Sequence, residues 1–173
     1  MRLPARSLPG LLMTALALTA GAARAAAPEP PAVDAEALYL TEARSGDVLA
    51  SRNADKAVPP ASLAKLMTAF VAFRALAADR IALTDRVRIN EAVWRMDGSQ
   101  MFLEVGERIP VRKLLAGMIV ASGNDAARAL AGHIAGSPDA FVRLMNRRAR
   151  DLGMAHTHFS NPSGLPAPRM HTT

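Results

Sequence analysis

The pattern of hydrophobic and polar positions predicts a pair of short strands followed by helices, with one further strand among the helices. Two strands are predicted at 36–42 and 47–51, and the pair Ser45-Gly46 between them is typical of a β-hairpin turn. A third, shorter strand is predicted at 86–90. Because two strands precede the first helix and no clear strand follows residue 90, the chain is predicted to be an α+β or helix-rich unit.

Apolar residues that recur every three or four positions predict the helices. The first helix, at 62–76, follows Pro59-Pro60 and should bury one apolar face. That predicted face consists of Leu63, Leu66, Met67, Phe70 and Phe73. A second helix at 111–120 breaks at the sequence ASGND, where Asp125 is the predicted N-cap of the next helix.

The last predicted helix lies within 136–153. Ser137 is its expected N-cap, Pro138 occupies the first helical position and Gly153 ends it. Four arginines lie mostly opposite its apolar stripe, so a solvent-exposed face is favoured over a phosphate-binding one. They are Arg143, Arg147, Arg148 and Arg150.

The N-terminal segment has the three-part pattern of a secretory signal peptide. Arginines precede an apolar run around Leu11–Ala20, and small residues follow, with cleavage expected near Ala25 or Ala27. The run of about a dozen residues is too short for a membrane anchor, which needs roughly 20. We therefore predict a signal peptide at 1–27 and a mature chain, 28–173, exported to a periplasm or to the cell-wall side of the membrane.

Charge and cysteine content narrow the classes of function. The formal net charge is +6, and the three arginines of the predicted signal peptide account for half of it. The mildly basic mature chain does not suggest a nucleic-acid partner. The chain has no cysteine, so its exported domain must be held together by its core rather than by disulfides.

Ser62 and Lys65 lie one helical turn apart and on one face, which suits a serine nucleophile and its base. A serine hydroxyl needs an adjacent base to attack, and a lysine shielded from water has a lowered pKa, so its neutral amine can accept the proton. The alternative is a capping serine beside a lysine that reaches solvent. The spacing alone leaves both interpretations open.

A second polar group, Ser122-Gly123-Asn124, falls at the predicted break between two helices. Its surroundings, AGMIVASGNDAARALAG, are apolar, and polar side chains at such a break are typical of a site. An ordinary helix–helix turn is the alternative.

Together, S-x-x-K at 62–65 and S-x-N at 122–124 resemble the penicillin-binding proteins and serine β-lactamases. Three sequence segments are similar to the low-molecular-weight D-alanyl-D-alanine carboxypeptidases: PASLAKLMTAFVA, LLAGMIVASGNDAARALA and HFSNPSGL. The similarity extends from about Ala37 to the last residue. The resemblance implies a transpeptidase-like fold in which a helical cluster packs on an antiparallel sheet. Residues 28–173 would form the N-terminal part of that catalytic domain.

The resemblance also implies roles for four residues. Ser62 would be the acylated nucleophile and Lys65 its proton acceptor. Ser122 would relay a proton to the leaving D-alanine, and Asn124 would hold the peptide and help position Lys65. The implied partners are peptidoglycan stem peptides ending in D-Ala-D-Ala, and β-lactam antibiotics, with no metal or organic cofactor.

One family motif, K-T-G, does not occur in this chain, and none of its lysines, Lys56, Lys65 and Lys113, precedes Thr-Gly. The resemblance therefore predicts an incomplete fold that is poorly soluble and inactive alone, and leaves open membrane association through an absent C-terminal segment. A D,D-endopeptidase and an inactive, truncated wall-binding product are the alternatives. A β-lactamase is disfavoured because no glutamate follows Glu107 to act as the deacylating base.

Overall fold

The structure, a computed structural model, describes residues 32–173, so the predicted signal peptide at 1–27 lies outside the described residues. Residues 35–173 form one unit of mixed helix and sheet, which confirms the predicted α+β class. Its strands are β1 (Leu38–Thr41), β2 (Val48–Arg52), β3 (Arg86–Arg88) and β4 (Arg108–Pro110). Its helices are α1 (Ala64–Ala77), α2 (Glu91–Trp94), α3 (Val111–Val120), α4 (Asn124–Ala135) and α5 (Pro138–Asp151).

Both sheets of the described region are two-stranded and antiparallel. The predicted first hairpin is confirmed: β1 pairs with β2, and Gly46 adopts a φ of +76° in the turn. The second hairpin pairs Val87 of β3 with Ile109 of β4. The sequence indicated β3 but not β4, because three residues ending in proline carry too little alternation to predict a strand.

Two predicted helices have the expected limits. Helix α3 spans Val111–Val120, and in α5 the Ser137 hydroxyl accepts a hydrogen bond from the backbone N–H of Ala140 at 3.1 Å. The prediction of Asp125 as N-cap of α4 is wrong. Gly123 is the N-cap and Asp125 lies within the first turn, because its carboxylate is buried and binds backbone groups of another segment.

The predicted buried face of α1 is wrong in part. Met67 is buried, but Leu63, Leu66 and Phe73 are 67%, 70% and 51% exposed. The helix instead packs against α3, α4 and α5 mainly through small or polar residues. These are Ala64, Lys65, Thr68, Ala69, Ala72 and Ala75. Alanines allow helix axes to approach closely, so the packed face cannot be identified from side-chain hydrophobicity alone.

Helix α4 lies at the centre of the helical cluster, in contact with α1, α3 and α5. Its buried side is rich in alanine, together with Leu130, and its first turn carries the buried Asn124 and Asp125. The S-x-N segment is thus held at the end of a well-packed helix. Among residues 32–173, no helix has the length and hydrophobicity needed to cross a membrane.

Candidate active site

Ser62 lies in a turn of 3-10 helix, Ala61–Leu63, immediately before α1. Its Oγ accepts a hydrogen bond from Lys65 Nζ at 3.2 Å and another from Ser122 Oγ at 3.1 Å. Three of the four predicted site residues therefore meet at one oxygen atom. Since Ser62 and Ser122 are 60 residues apart, this contact depends on the packing of α3 and α4 against α1.

Lys65 is buried, with 6% of the residue exposed. Its amine donates to Ser62 and, at 2.7 Å, to the backbone carbonyl of Ser163. No ion pair within residues 32–173 includes Lys65. Burial in these surroundings lowers the pKa of the Lys65 ammonium below its usual 10.5, and the neutral amine is the form that can accept a proton from Ser62.

A loop at 159–165 supplies the carbonyl that binds Lys65. The side chain of Asn161 organises this loop, because its Oδ1 accepts from the backbone N–H groups of Ser163 and Gly164 at 3.1 and 2.7 Å. Thr68 Oγ1 of α1 donates to the Pro162 carbonyl at 2.7 Å. The sequence pattern predicted no role for this loop, although its residues NPSG are typical of a turn.

Ser122 lies at the break between α3 and α4 with a φ of +54°. This left-handed conformation is uncommon for residues other than glycine, and it aims the Ser122 hydroxyl across to Ser62. The following Gly123 leaves no room for a side chain, since a Cβ there would lie 2.9 Å from Asp125 Oδ1. The break is therefore a constrained turn that presents a hydroxyl group.

Asn124 is buried in the first turn of α4, apart from the three residues above. Its side-chain Nδ2 donates to the carbonyl of Asp97 at 2.6 Å, and its backbone N–H donates to the carbonyl of Ser99 at 2.7 Å. No hydrogen bond joins it to Ser62, Lys65 or Ser122 within the described region. Its contacts anchor the segment 97–99, and its role toward a peptide stays a prediction.

The Asp125 carboxylate continues this anchoring. It accepts hydrogen bonds from the backbone N–H groups of Met101 (2.9 and 3.0 Å) and Ala126 (2.8 Å), with a longer one from Leu103 (3.4 Å). A carboxylate that accepts several N–H groups is well satisfied when buried. Asn124 and Asp125 together fix the segment 97–103 against the start of α4.

Ser62, Lys65 and Ser122 line an open cavity of about 480 Å³. The rest of its lining is largely apolar and includes Leu66, Met118 and Ile119 from α1 and α3. Apolar side chains beside the hydroxyl lower the local dielectric constant, which strengthens polar interactions there. The arrangement suits attack on a carbonyl carbon by Ser62 with Lys65 as base.

Nothing in the described region resembles a metal centre. No three His, Cys, Asp or Glu side chains within residues 32–173 lie close enough together to hold a metal ion. His158 stacks on His171 with ring centroids 6.3 Å apart, and His156, two residues before His158, is exposed.

The model of a family described as D-alanyl-D-alanine carboxypeptidase, Peptidase S11, matches residues 24–173. The chain is 44% identical over 151 residues to the D-alanyl-D-alanine carboxypeptidase DacC of Escherichia coli (strain K12), covering 84% of this chain and 38% of DacC. It is 42% identical over 132 residues to DacF of Bacillus subtilis (strain 168), covering 76% of this chain and 34% of DacF.

Solved structures agree with these sequence relationships. The carboxypeptidase DacD from Francisella tularensis superposes with a TM-score of 0.81 at 39% identity, covering 85% of this chain and 36% of DacD. Penicillin binding protein 5 from Haemophilus influenzae also superposes with a TM-score of 0.81 at 39% identity. This match covers 84% of this chain and 43% of penicillin binding protein 5. The chain thus has the fold of part of these proteins and spans less than half of their length.

Proposed function

Because the chain belongs to the D-alanyl-D-alanine carboxypeptidase family, we propose that it provides the nucleophile of an enzyme that removes the terminal D-alanine from peptidoglycan stem peptides. The observation that carries the proposal is the Ser62 hydroxyl, which receives hydrogen bonds from the buried Lys65 amine and from Ser122. The predicted signal peptide supports an exported enzyme acting on the cell wall.

In the first step, Ser62 Oγ attacks the carbonyl carbon of the penultimate D-alanine. The neutral amine of Lys65 takes the proton of the Ser62 hydroxyl at the same time. The oxyanion that forms lies near the start of α1, where the backbone N–H of Ser62 can donate to it. The peptide bond then breaks as Lys65 gives up this proton, which Ser122 relays to the leaving D-alanine amine, and Ser62 carries an ester. Water hydrolyses this ester and restores the serine hydroxyl.

The same attack opens the strained amide of a β-lactam, which would leave Ser62 acylated. A labelled penicillin offered to the full-length protein should therefore label wild type and not Ser62→Ala. Ser51→Ala, which removes an exposed hydroxyl on β2, is the matched control and should label normally. Labelling that survives Ser62→Ala would overturn the assignment of the nucleophile.

Substrate assays distinguish the proposed carboxypeptidase from the alternative functions. A carboxypeptidase releases free D-alanine from a stem peptide ending in D-Ala-D-Ala, whereas an endopeptidase cleaves a cross-linked dimer. Among residues 32–173, no aspartate or glutamate lines the Ser62 cavity, so we expect the penicilloyl ester to be long-lived. Rapid turnover of a chromogenic cephalosporin would instead favour a β-lactamase, and the lack of any acylation would favour a non-catalytic wall-binding role.

A further inference from the structure

A second cavity, of about 330 Å³, is lined by residues of β3, α2 and α4 and shares no lining residue with the Ser62 cavity. Within the part of the chain that the structure describes, its lining carries several cationic or hydrogen-bonding side chains and no carboxylate. These are Arg86, Arg88, Asn90, Arg128 and His133. A concave surface lined by one sign of charge concentrates counter-ions.

The positive charge of this cavity is largely unbalanced by the protein. The half-buried side chain of Arg128 and the exposed side chain of Arg88 form no hydrogen bond or ion pair with residues 32–173. Arg86 donates only to a neutral acceptor, the Arg108 carbonyl, at 3.3 Å. Two guanidinium groups are thus left free to bind a ligand.

Nearby acidic groups are engaged elsewhere or lie outside the cavity. Asp85 accepts from the backbone N–H of Ala82 at 2.8 Å and lies 3.3 Å from His133 Nε2. Glu91 is paired with Arg95 at 2.8 Å. Asp139 is exposed and does not line the cavity. None of these carboxylates neutralises Arg88 or Arg128.

The register of the second hairpin adds an independent observation. Arg88 of β3 lies directly opposite Arg108 of β4, and Arg86 points to the same face because it is two residues away along the strand. Like charges directly opposite each other destabilise a strand pair. Neither strand carries an acidic residue, since their sequences are RVR and RIP. A bound anion would relieve this repulsion.

We propose that this cavity binds a phosphate group, either of a small phosphorylated molecule or of a lipid headgroup. Guanidinium groups bind phosphate through paired hydrogen bonds. One arginine can satisfy a carboxylate, whereas a phosphate offers more oxygens and more charge to a cluster of arginines. The cavity is about ten times the ~30 Å³ that one water occupies in the liquid, so it has room for an organic group beside the phosphate. The proposal is independent of the reaction at Ser62.

The test is calorimetric titration of the full-length protein with inorganic phosphate at constant ionic strength. Wild type should bind saturably, and the double variant Arg88→Gln/Arg128→Gln should bind about tenfold more weakly or worse, because it loses charged hydrogen bonds. Arg147→Gln, an exposed arginine on α5, is the control and should bind like wild type. Circular dichroism verifies that the variants are folded.

A parallel sedimentation assay identifies the source of the phosphate. Binding to phosphatidylglycerol vesicles but not to phosphatidylcholine vesicles, lost in the double variant, would support a lipid headgroup. Saturable binding of inorganic phosphate without vesicle binding would support a soluble ligand. If neither binds, or if Arg147→Gln weakens binding as much as the double variant, the proposal is wrong.

Discussion

The amine of Lys65 donates a 2.7 Å hydrogen bond to the backbone carbonyl of Ser163, a residue 98 positions further along the chain. The second acceptor of the amine is the Ser62 hydroxyl. The carbonyl can only accept, so it holds one N–H of the amine in place. Once the amine has lost a proton, its lone pair can turn toward the Ser62 hydroxyl. The loop at 159–165 therefore bears directly on the proposed base.

We expect Asn161→Ala to slow acylation of Ser62 by about tenfold or more and to lower the free energy of unfolding by about 2–4 kcal/mol. The substitution removes the hydrogen bonds that position the Ser163 carbonyl. Stopped-flow acylation and urea unfolding of the full-length protein measure the two effects.

Ser160→Ala is the control for Asn161→Ala. Ser160 lies in the same loop, but its hydroxyl donates to the Pro168 carbonyl, away from Lys65. It should lose some stability and acylate at nearly the wild-type rate. An acylation rate of Asn161→Ala equal to that of this control would mean that the loop does not position the base.

The acylation rate should rise with pH through the lowered pKa of Lys65, because the neutral amine is the proposed base. Between this folded-state pKa and the unfolded value near 10.5, the unfolded chain binds more protons at Lys65. The contribution of Lys65 to the free energy of unfolding therefore increases as the pH rises from the folded-state pKa to the unfolded one. Acylation rates and urea unfolding measured across the pH range test both trends.

Two variants isolate the contribution of Lys65 to this pH dependence. Lys65→Met should abolish acylation and remove the rise in stability, whereas Lys113→Met, at an exposed lysine of α3, should leave both profiles unchanged. A Lys65→Met protein with the wild-type stability profile would show that another group titrates.

Gly164→Ala should lower the free energy of unfolding far more than Gly136→Ala. Both glycines have a positive φ, +87° and +77°, so alanine is strained at each by about 1–2 kcal/mol. A Cβ at 164 would also lie 1.8 Å from the Ala61 carbonyl oxygen, whereas a Cβ at 136 meets nothing within 4 Å. We expect Gly164→Ala to cost at least about 2 kcal/mol more in urea unfolding and to displace Ser62. Equal losses would mean that the loop moves aside freely.

The exposed apolar side of α1 should make residues 28–173 associate when they are expressed alone. Leu66 and Phe73 are 70% and 51% exposed, and contiguous exposed apolar surface favours aggregation. Light scattering should show association of this chain that is reduced in Leu66→Gln/Phe73→Gln. Arg74→Gln, a polar change on the same helix, should have no such effect. A wild-type chain that stays monomeric with increasing concentration would contradict this expectation.

The sequence by itself determined the local features of this protein. The limits of α3, the Ser137 cap of α5 and the first hairpin follow from backbone preferences over a few residues. The Ser62–Lys65 pairing follows from the three-residue spacing of a helical turn. Such features depend on interactions between near neighbours, so the amino-acid order is sufficient to predict them.

Only the tertiary structure decided which distant groups meet. The Ser122 hydroxyl reaches Ser62, and the Ser163 carbonyl reaches Lys65, because helices pack closely through alanines that carry no chemical signature of a site. The same packing buried the small residues of α1 and left Leu66 exposed. It also drew Asp125 inward to bind Met101 instead of capping α4. These outcomes depend on shape complementarity between segments far apart in the chain, which the local pattern of hydrophobic and polar residues does not encode.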